Sequence, residues 1–341
     1  MTLQSTGQIT FSNITSEFGT PSNSNLGAFR VSENHGSLSN IPLDSNIPQT
    51  GEIKFSDFYG RRLNVVVDCH SGSTEARGNA KTKYNSNQVS VVGGFRSHPS
   101  PPTGIKVIIN VNKSFKSEKG KAKNVVALRT GEYGSDCLLR VDVGSEGYIG
   151  GAGGNGGKGG NSGSNSGSGG EDGNSGLGID HESSDGTTVI NNSGTISAGF
   201  GGGGGGGAAY QFDEGGKGKS DKRRNASGGG GGGGAGFPAG SGGSGGSSDK
   251  SGASGSSGGL NSAGSGGSGG DNDGEARGGA GGSGGSNGEG ANNGGGGSGE
   301  ETGSGGSGGG DGAAIRRQSG VTISVVNNGT IRGSTSATGV A

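Results

Sequence analysis

The sequence predicts a mostly β chain with a bundle of polyglycine II helices. The expected parts are an extended N-terminal arm, a small β domain and a layered glycine-rich sandwich, with essentially no α-helix. Three observations predict this. First, 91 of 341 residues are glycine, where average usage is ~7 %, and only 24 % are hydrophobic. Second, the glycine is concentrated: residues 1–130 hold 12, and residues 131–341 hold the remaining 79 (91 − 12). Third, that later part is built of Gly-Gly-X triplets and two uninterrupted runs, Gly201–Gly207 and Gly228–Gly234. Three is the repeat of the polyproline II helix, and a flexible linker needs no period.

The composition excludes an enzyme built on one large apolar core. Collagen is excluded too, since the chain has only 7 prolines and a triple helix needs ~15–20 % proline or hydroxyproline in a strict Gly-X-Y period. No stretch approaches the ~20 apolar residues of a membrane span, so no membrane insertion is expected. The opening MTLQSTGQITFSNITS lacks a basic and an apolar region, so it does not read as a secretion signal. Charge is segregated. Residues 1–60 carry 2 Lys/Arg and 5 Asp/Glu (net −3), residues 61–130 carry 13 and 3 (net +10), and residues 131–341 carry 12 and 20 (net −8). This pattern argues for a defined neighbour and against nucleic acid, whose binding domains are usually basic overall.

The arm is expected over residues 1–62. It is polar, with short apolar phrases and interrupting prolines at Pro21, Pro42 and Pro48. Gln8-Ile9-Thr10-Phe11-Ser12 alternates and reads as a strand. So short a segment buries little core alone, so it is expected to fold against something else.

Residues 63–149 read as a β-rich adaptor domain. Leu63–Val67, Gln88–Val92, Ile105–Val111, Asn124–Leu128 and Leu138–Val143 are β-branched, of strand length, and bounded by Gly, Pro and Asn. Their spacing suggests a small sandwich or rolled sheet. Lys113, Lys116, Lys119, Lys121 and Lys123 read as a solvated loop, or as a docking face for an acidic neighbour or phosphorylated sugars.

Residues 150–312 form the expected glycine domain and 313–341 a closing β segment. A polyglycine II helix has no internal hydrogen bonds, so its peptide groups need partners in neighbouring helices. Without Cβ atoms, such helices approach closely enough to pair directly. Runs bare on every face should therefore be central, with Gly-Gly-X helices flanking them. Val143–Ile149, Ile190–Ile196 and Val326–Ile331 are related phrases of short strand and turn that bracket the glycine block. They suggest a chain that leaves a β base, makes glycine excursions and returns, the last copy closing it.

Recognition chemistry is expected in the interruption 208–227, the most charged and most aromatic one. Tyr210 and Phe212 suit stacking on sugar rings. Lys217, Lys219, Lys222, Arg223 and Arg224 suit phosphate or carboxylate. Phe237 supplies another aromatic tip, and the stretches 177–182 and 272–277 read as further loops. Enzyme motifs fail. GxGxxG is chance in such a tract, and Gly218-Lys219-Ser220 has Asp213 where a phosphate loop needs glycine. His181, beside Asp180, Glu182 and Asp185, reads as an exposed loop rather than acid–base machinery. Cys69 and Cys137 read as reduced structural cysteines, and the scattered histidines offer no metal spacing, so neither a cofactor nor catalysis is expected.

Two resemblances sharpen this reading. The segments TGQITFSNITSEFG, LGAFRVS and IPLDSNIPQTGEIKFSDFYGRRLN, within residues 1–62, resemble the N-terminal segment of many tailed-phage virion proteins. That resemblance implies a place in the virion tail after assembly in the host cytoplasm. It makes Ile9, Phe11, Ile14, Phe18, Ile53, Phe55, Phe58 and Tyr59 the expected docking residues toward other tail proteins. The alternation of glycine tracts with irregular loops resembles the distal tail-fibre adhesins of T-even-like phages. This implies loops at one end that bind a bacterial surface polysaccharide or outer-membrane protein. A homo-oligomer is expected because the arm is too small to fold alone, and a trimer follows from fibre analogy. The alternative is a structural virion protein of tail or capsid without receptor loops.

Overall fold

The computed structural model describes residues 3–18, 21, 25–30, 43, 44, 46–62, 64–69, 75, 76, 78, 79, 106–135, 137–213 and 222–340. Its base is a parallel β-solenoid with three sides. The first coil runs β1 (Asn64–Cys69), β2 (Glu75–Ala76) and β3 (Gly78–Asn79). The second runs β4 (Lys106–Val111), β5 (Ser114–Lys116) and β6 (Val126–Arg129), and the third β7 (Leu138–Val143), β8 (Tyr148–Gly150) and β9 (Ser175–Ile179). The fourth starts with β10 (Thr188–Asn192) and β11 (Thr195–Ser197). It then makes an excursion holding β12 (Ala209–Asp213), β13 (Lys222–Ala226), β14 (Asp271–Asn272), β15 (Ala276–Arg277) and β16 (Glu301–Thr302), and returns as β17 (Ile315–Arg317). The last coil is β18 (Ile323–Asn327), β19 (Thr330–Arg332) and β20 (Ala337–Thr338). Each side is a 5-stranded sheet taking one strand from every coil.

The register explains the sequence. On one side Val67, Ile109, Val141, Ile190 and Val325 stack in line. On the second, Phe115, Ile149, Ile196 and Ile331 do so, and on the third Leu128, Leu177 and Ile315. Apolar side chains at alternate positions all point inward, as in β7, where every second residue is buried. Of the two expected arrangements, a small sandwich or a rolled sheet, the sheet is rolled, as a parallel solenoid. The glycine phrases are its corners: Gly144 and Gly147 lie under Gly194, and Gly194 under Gly329, each so close that a Cβ would strike backbone. Because the chain turns the same way at each corner, successive coils lie parallel. Cys69 and Cys137 are buried thiols. The expected strand 88–92 lies outside the described residues.

The N-terminal segment packs on this solenoid within one continuous apolar core. Its expected strand is instead the start of helix α1 (Phe11–Phe18). Thr10 and Asn13 bond reciprocally, Asn13 N donating to Thr10 Oγ1 (3.2 Å) and Thr10 N to Asn13 Oδ1 (2.9 Å). That closes the first turn as a capping box does. Four phenylalanines, Phe11, Phe18, Phe29 and Phe58, then pack edge to face with centroids 5.4–6.4 Å apart.

The glycine tracts leave the solenoid at one corner, between the second and third sides, in two consecutive coils. They form a bundle whose peptide groups pair laterally with period three. In 199–208, residues 202, 205 and 208 donate to 171, 168 and 165, while 203 and 206 donate to 232 and 229. Segment 199–208 donates to 165–174, 227–236 and 291–298, and accepts from 151–160, 278–286 and 303–312. Segment 227–236 is likewise enclosed on every side, by 151–160, 278–286, 250–259, 199–208, 240–247 and 262–270. These contacts define hexagonal packing in layers. One outer layer holds 165–174, 151–160 and 240–247. The middle holds 303–312, 199–208, 227–236 and 250–259, and the other outer layer 291–298, 278–286 and 262–270. The two pure glycine runs are the central helices and are buried throughout. Each net hydrogen bond contributes about 0.5–1.5 kcal/mol, and in this bundle such bonds replace the apolar core.

Candidate functional site

The hydrogen-bond rows fix which end of the bundle each connection occupies. Gly151, bonded to Ser197 O, and Gly312, bonded to Gly199 O, mark the solenoid end. Gly160, bonded to Gly206 O, and Gly303, bonded to Ala208 O, mark the far end. Beyond that far row lie 161–164, 209–213, 222–226, 248–250, 271–277 and 299–302.

The far end is organised by the hairpin β12–β13, with β16 added on the β12 side in the order β13-β12-β16. Antiparallel register puts Phe212 opposite Arg223 and Tyr210 opposite Asn225 on one face. Gln211 opposite Arg224 and Asp213 opposite Lys222 share the other. That second face is seated on a small cluster of Ala209, Ala226 and Ala276. The turn between β14 and β15 takes left-handed φ at Asp273 (55°) and Gly274 (80°), and is closed by Gly274 N donating to Asp271 Oδ1 (2.8 Å). Asp is among the residues that tolerate this conformation.

Arg224 ties hairpin and turn together. Its Nε lies 2.9 Å from Asp213 Oδ2 and 3.0 Å from Glu275 Oε2, and its Nη1 2.6 Å from Asp273 Oδ2. The hydrogen bond to Asp213 and, against a lowering by desolvation, the charges of Glu275, Asp213 and Asp273 raise its pKa above the ordinary arginine value. Arg224 is therefore a structural hub, its charge met within the protein. Lys222 and Arg223 are exposed.

The structure brings Tyr210, Phe212, Lys222, Arg223 and Arg224 together at the far end. Lys217 and Lys219 lie outside the described residues. Phe237 is not with them. It sits at the solenoid end, its ring 5.1 Å from that of Tyr148 and its Cβ against Gly150. The stretch 177–182, expected as a loop, is corrected: 177–179 belongs to β9, and Asp180 and His181 are buried. Asp180 takes Arg129 Nη2 (2.6 Å) and Nε (3.2 Å) and Gly131 N (2.9 Å). His181 Nδ1 accepts Tyr133 N (3.3 Å). The loop 272–277 does lie at the far end. Sequence reading missed the carboxylates Asp213, Asp273 and Glu275 as partners of Arg224, because 49 residues separate Asp273 from that arginine.

Of the expected docking residues, Ile9, Ile14, Phe18 and Phe58 are buried in the core that the N-terminal segment shares with the solenoid, with Phe11, Ile53 and Tyr59 packed against it. Phe55 is 42 % exposed. The segment folds on its own chain, which removes the reason given for expecting a homo-oligomer. Among the described residues, no group of His, Cys, Asp or Glu is placed to hold a metal ion.

Comparisons with known proteins bear on this architecture. No curated protein matches the chain. Among solved structures, the gp37–gp38 adhesin tip complex of the bacteriophage S16 long tail fibre aligns over 97 % of this chain and 99 % of that one. The identity is 19 % and the TM-score 0.38. The model of the family "phage tail fibre adhesin Gp38" matches residues 72–336, from the first solenoid coil through the glycine bundle to the last. By that match over most of its length, the chain belongs to the Gp38 family of phage tail fibre adhesins, receptor-binding proteins of the virion tail.

Proposed function

We propose that the far end of the glycine bundle is the surface that meets the bacterium, and that the N-terminal segment with its solenoid faces the other tail proteins. One observation carries this reading. The bundle gathers the charged and aromatic stretches 209–213, 222–226, 271–277 and 299–302 at the end remote from the solenoid. Peptide-to-peptide packing fixes their mutual spacing, so little loop entropy is left to lose on binding. On the N-terminal segment, exposed Phe55 of the 3-10 turn Phe55–Phe58 is the anchor proposed for docking to a fibre protein. In domain terms, residues 1–62 attach, 63–149 with 313–341 adapt, and 150–312 display.

Adsorption of the labelled chain to susceptible bacteria tests this. Tyr210→Ala with Phe212→Ala, at the far end, should abolish adsorption while the melting curve stays that of the parent. Lys113→Glu on the solenoid flank should leave adsorption intact. Full adsorption by the far-end variant would refute the reading and favour a purely structural virion role.

A further inference from the structure

Beside the outer edge of β13 lies an open hollow lined by Lys222, Arg223, Arg224, Asp249, Asn272 and Asp273. Its walls are fixed. Asn225 N and Nδ2 both donate to Asp249 Oδ2 (3.3 and 3.1 Å), which leaves Asp249 Oδ1 for another donor. Asn272 Nδ2 donates to Asn225 O (3.4 Å), which leaves its Oδ1 in the same position. Asp273 is held by Arg224 (2.6 Å).

The cations divide into two kinds. Arg224 is neutralised by Asp213, Asp273 and Glu275. Lys222 and Arg223 are exposed and, among the described residues, neither reaches a carboxylate at ion-pair distance. Among the described residues, the hollow thus offers cations without a carboxylate partner beside acceptor oxygens with no donor. A compact anion suits the first, a guanidinium taking carboxylate or phosphate as a fork. Hydroxyl groups suit the second, since a hydroxyl donates to carboxylate or amide oxygen.

The surroundings narrow the class further. Asp249, Glu300 and Glu301 are exposed around the same end, and Asp271 beside them is paired with Arg277 (3.2 Å). Their field opposes a densely charged polyanion, while one anionic group flanked by hydroxyls enters between them. Phe212 stands across the ladder from Arg223, with Tyr210 on the same face, so a chain leaving the hollow over β13 meets aromatic rings on which sugars stack. Resting on the reading that the far end faces the host, we infer that this hollow binds a singly acidic sugar unit, phosphorylated or carboxylated, of a bacterial surface glycan.

The test is a titration of the full-length protein followed by amide chemical shifts. Glucose 6-phosphate and glucuronate should shift the amides of 222–225, 249 and 272. Equimolar glucose should not, and inorganic phosphate should bind at least about tenfold more weakly, as a fork without its hydroxyl contacts. Lys222→Ala with Arg223→Ala should weaken the acidic sugars at least about tenfold, with hydrogen exchange at 228–234 unchanged as proof of folding. Equal binding of phosphate and sugar phosphate, or no shift at these amides with either sugar, would overturn the inference. Adsorption separates the two readings. If far-end variants lose adsorption, yet acidic sugars do not compete and protease treatment of the cells does, the far end still faces the host, its receptor is a protein, and the sugar inference is overturned.

Discussion

Gly203 and Gly231, on the two central helices of the bundle, meet with no room for a side chain. A Cβ on Gly231 would stand 2.0 Å from the Gly203 carbonyl oxygen. The obstacle is backbone, which cannot swing aside as the end of a flexible side chain does. Gly231→Ala should therefore cost about 3 kcal/mol, the upper end for overpacking, and should push the two central helices apart within the middle layer. Gly290→Ala should be nearly neutral, since nothing lies within 4 Å of its Cβ position. Thermal melts of both variants check the contrast, and equal stability would contradict the packing.

Hydrogen exchange should carry the bundle's period. Every amide of 228–234 donates to a carbonyl of a neighbouring helix, so all should be protected. In the outer segment 240–247 the amides bonded to neighbouring backbone are those of 240, 243 and 246, while 241, 245 and 247 donate only to exposed side chains, so protection should be strongest at every third residue. Uniform exchange along 240–247 would be incompatible with this arrangement.

Arg224 should be irreplaceable by lysine. A single ammonium lacks the fork that reaches Asp213, Asp273 and Glu275 together. Arg224→Lys and Arg224→Ala should both speed exchange in β12 and β13 and reduce adsorption to bacteria, while exchange at 201–207 stays as in the parent. Parent-like adsorption by Arg224→Lys would show that the hub does not position the hairpin.

The pair Arg129–Asp180 joins neighbouring coils, with the Asp180 side chain only 1 % exposed. Arg129→Met strands a buried carboxylate and should destabilise by about 3 kcal/mol. Chemical denaturation measures this, and a change within experimental error would remove the pair from the account of solenoid stability.

Lys106 supplies a pH signature. Burial, and then the charge of Arg140, push its pKa below the ordinary 10.5, with Asp44, Asp142 and Asp185 opposing. The folded protein then binds fewer protons than the unfolded chain between the lowered value and 10.5. Stability from this group therefore rises with pH through that window and is reduced below it. Lys106→Met should remove this rise and raise stability at pH 7, read as the difference between wild-type and variant denaturation curves.

Much of this was legible in the residues. The triplet period pointed to polyglycine II helices, and the bare runs 201–207 and 228–234 to central positions, because a helix without side chains alone accepts neighbours on every face. The inward columns were visible as β-branched phrases at 105–111 and 138–143. Their parallel stacking was not, because register between coils depends on corners such as Gly147 and Gly194, whose glycines look like ordinary turns in sequence. Helix α1 hid behind a short alternation at 8–12. The Thr10–Asn13 pair was its signal, but Asn at the third helical position is a weaker mark than the usual Glu or Gln. At the far end, the basic run of β13 was plain, whereas the carboxylates that neutralise Arg224 come from separate connections that only the bundle's packing order brings together.

A bundle held by peptide groups also has an unusual thermal character. Unfolding an apolar core raises heat capacity, while exposing polar surface lowers it. Loss of the central glycine helices uncovers mainly peptide groups, so this part should unfold with a small heat-capacity change and a shallow stability curve. Apolar cores lose strength on cooling; this one has little of that term to lose. The loops at its far end would then keep their spacing in cold water outside the host as well as at the temperature where the host grows.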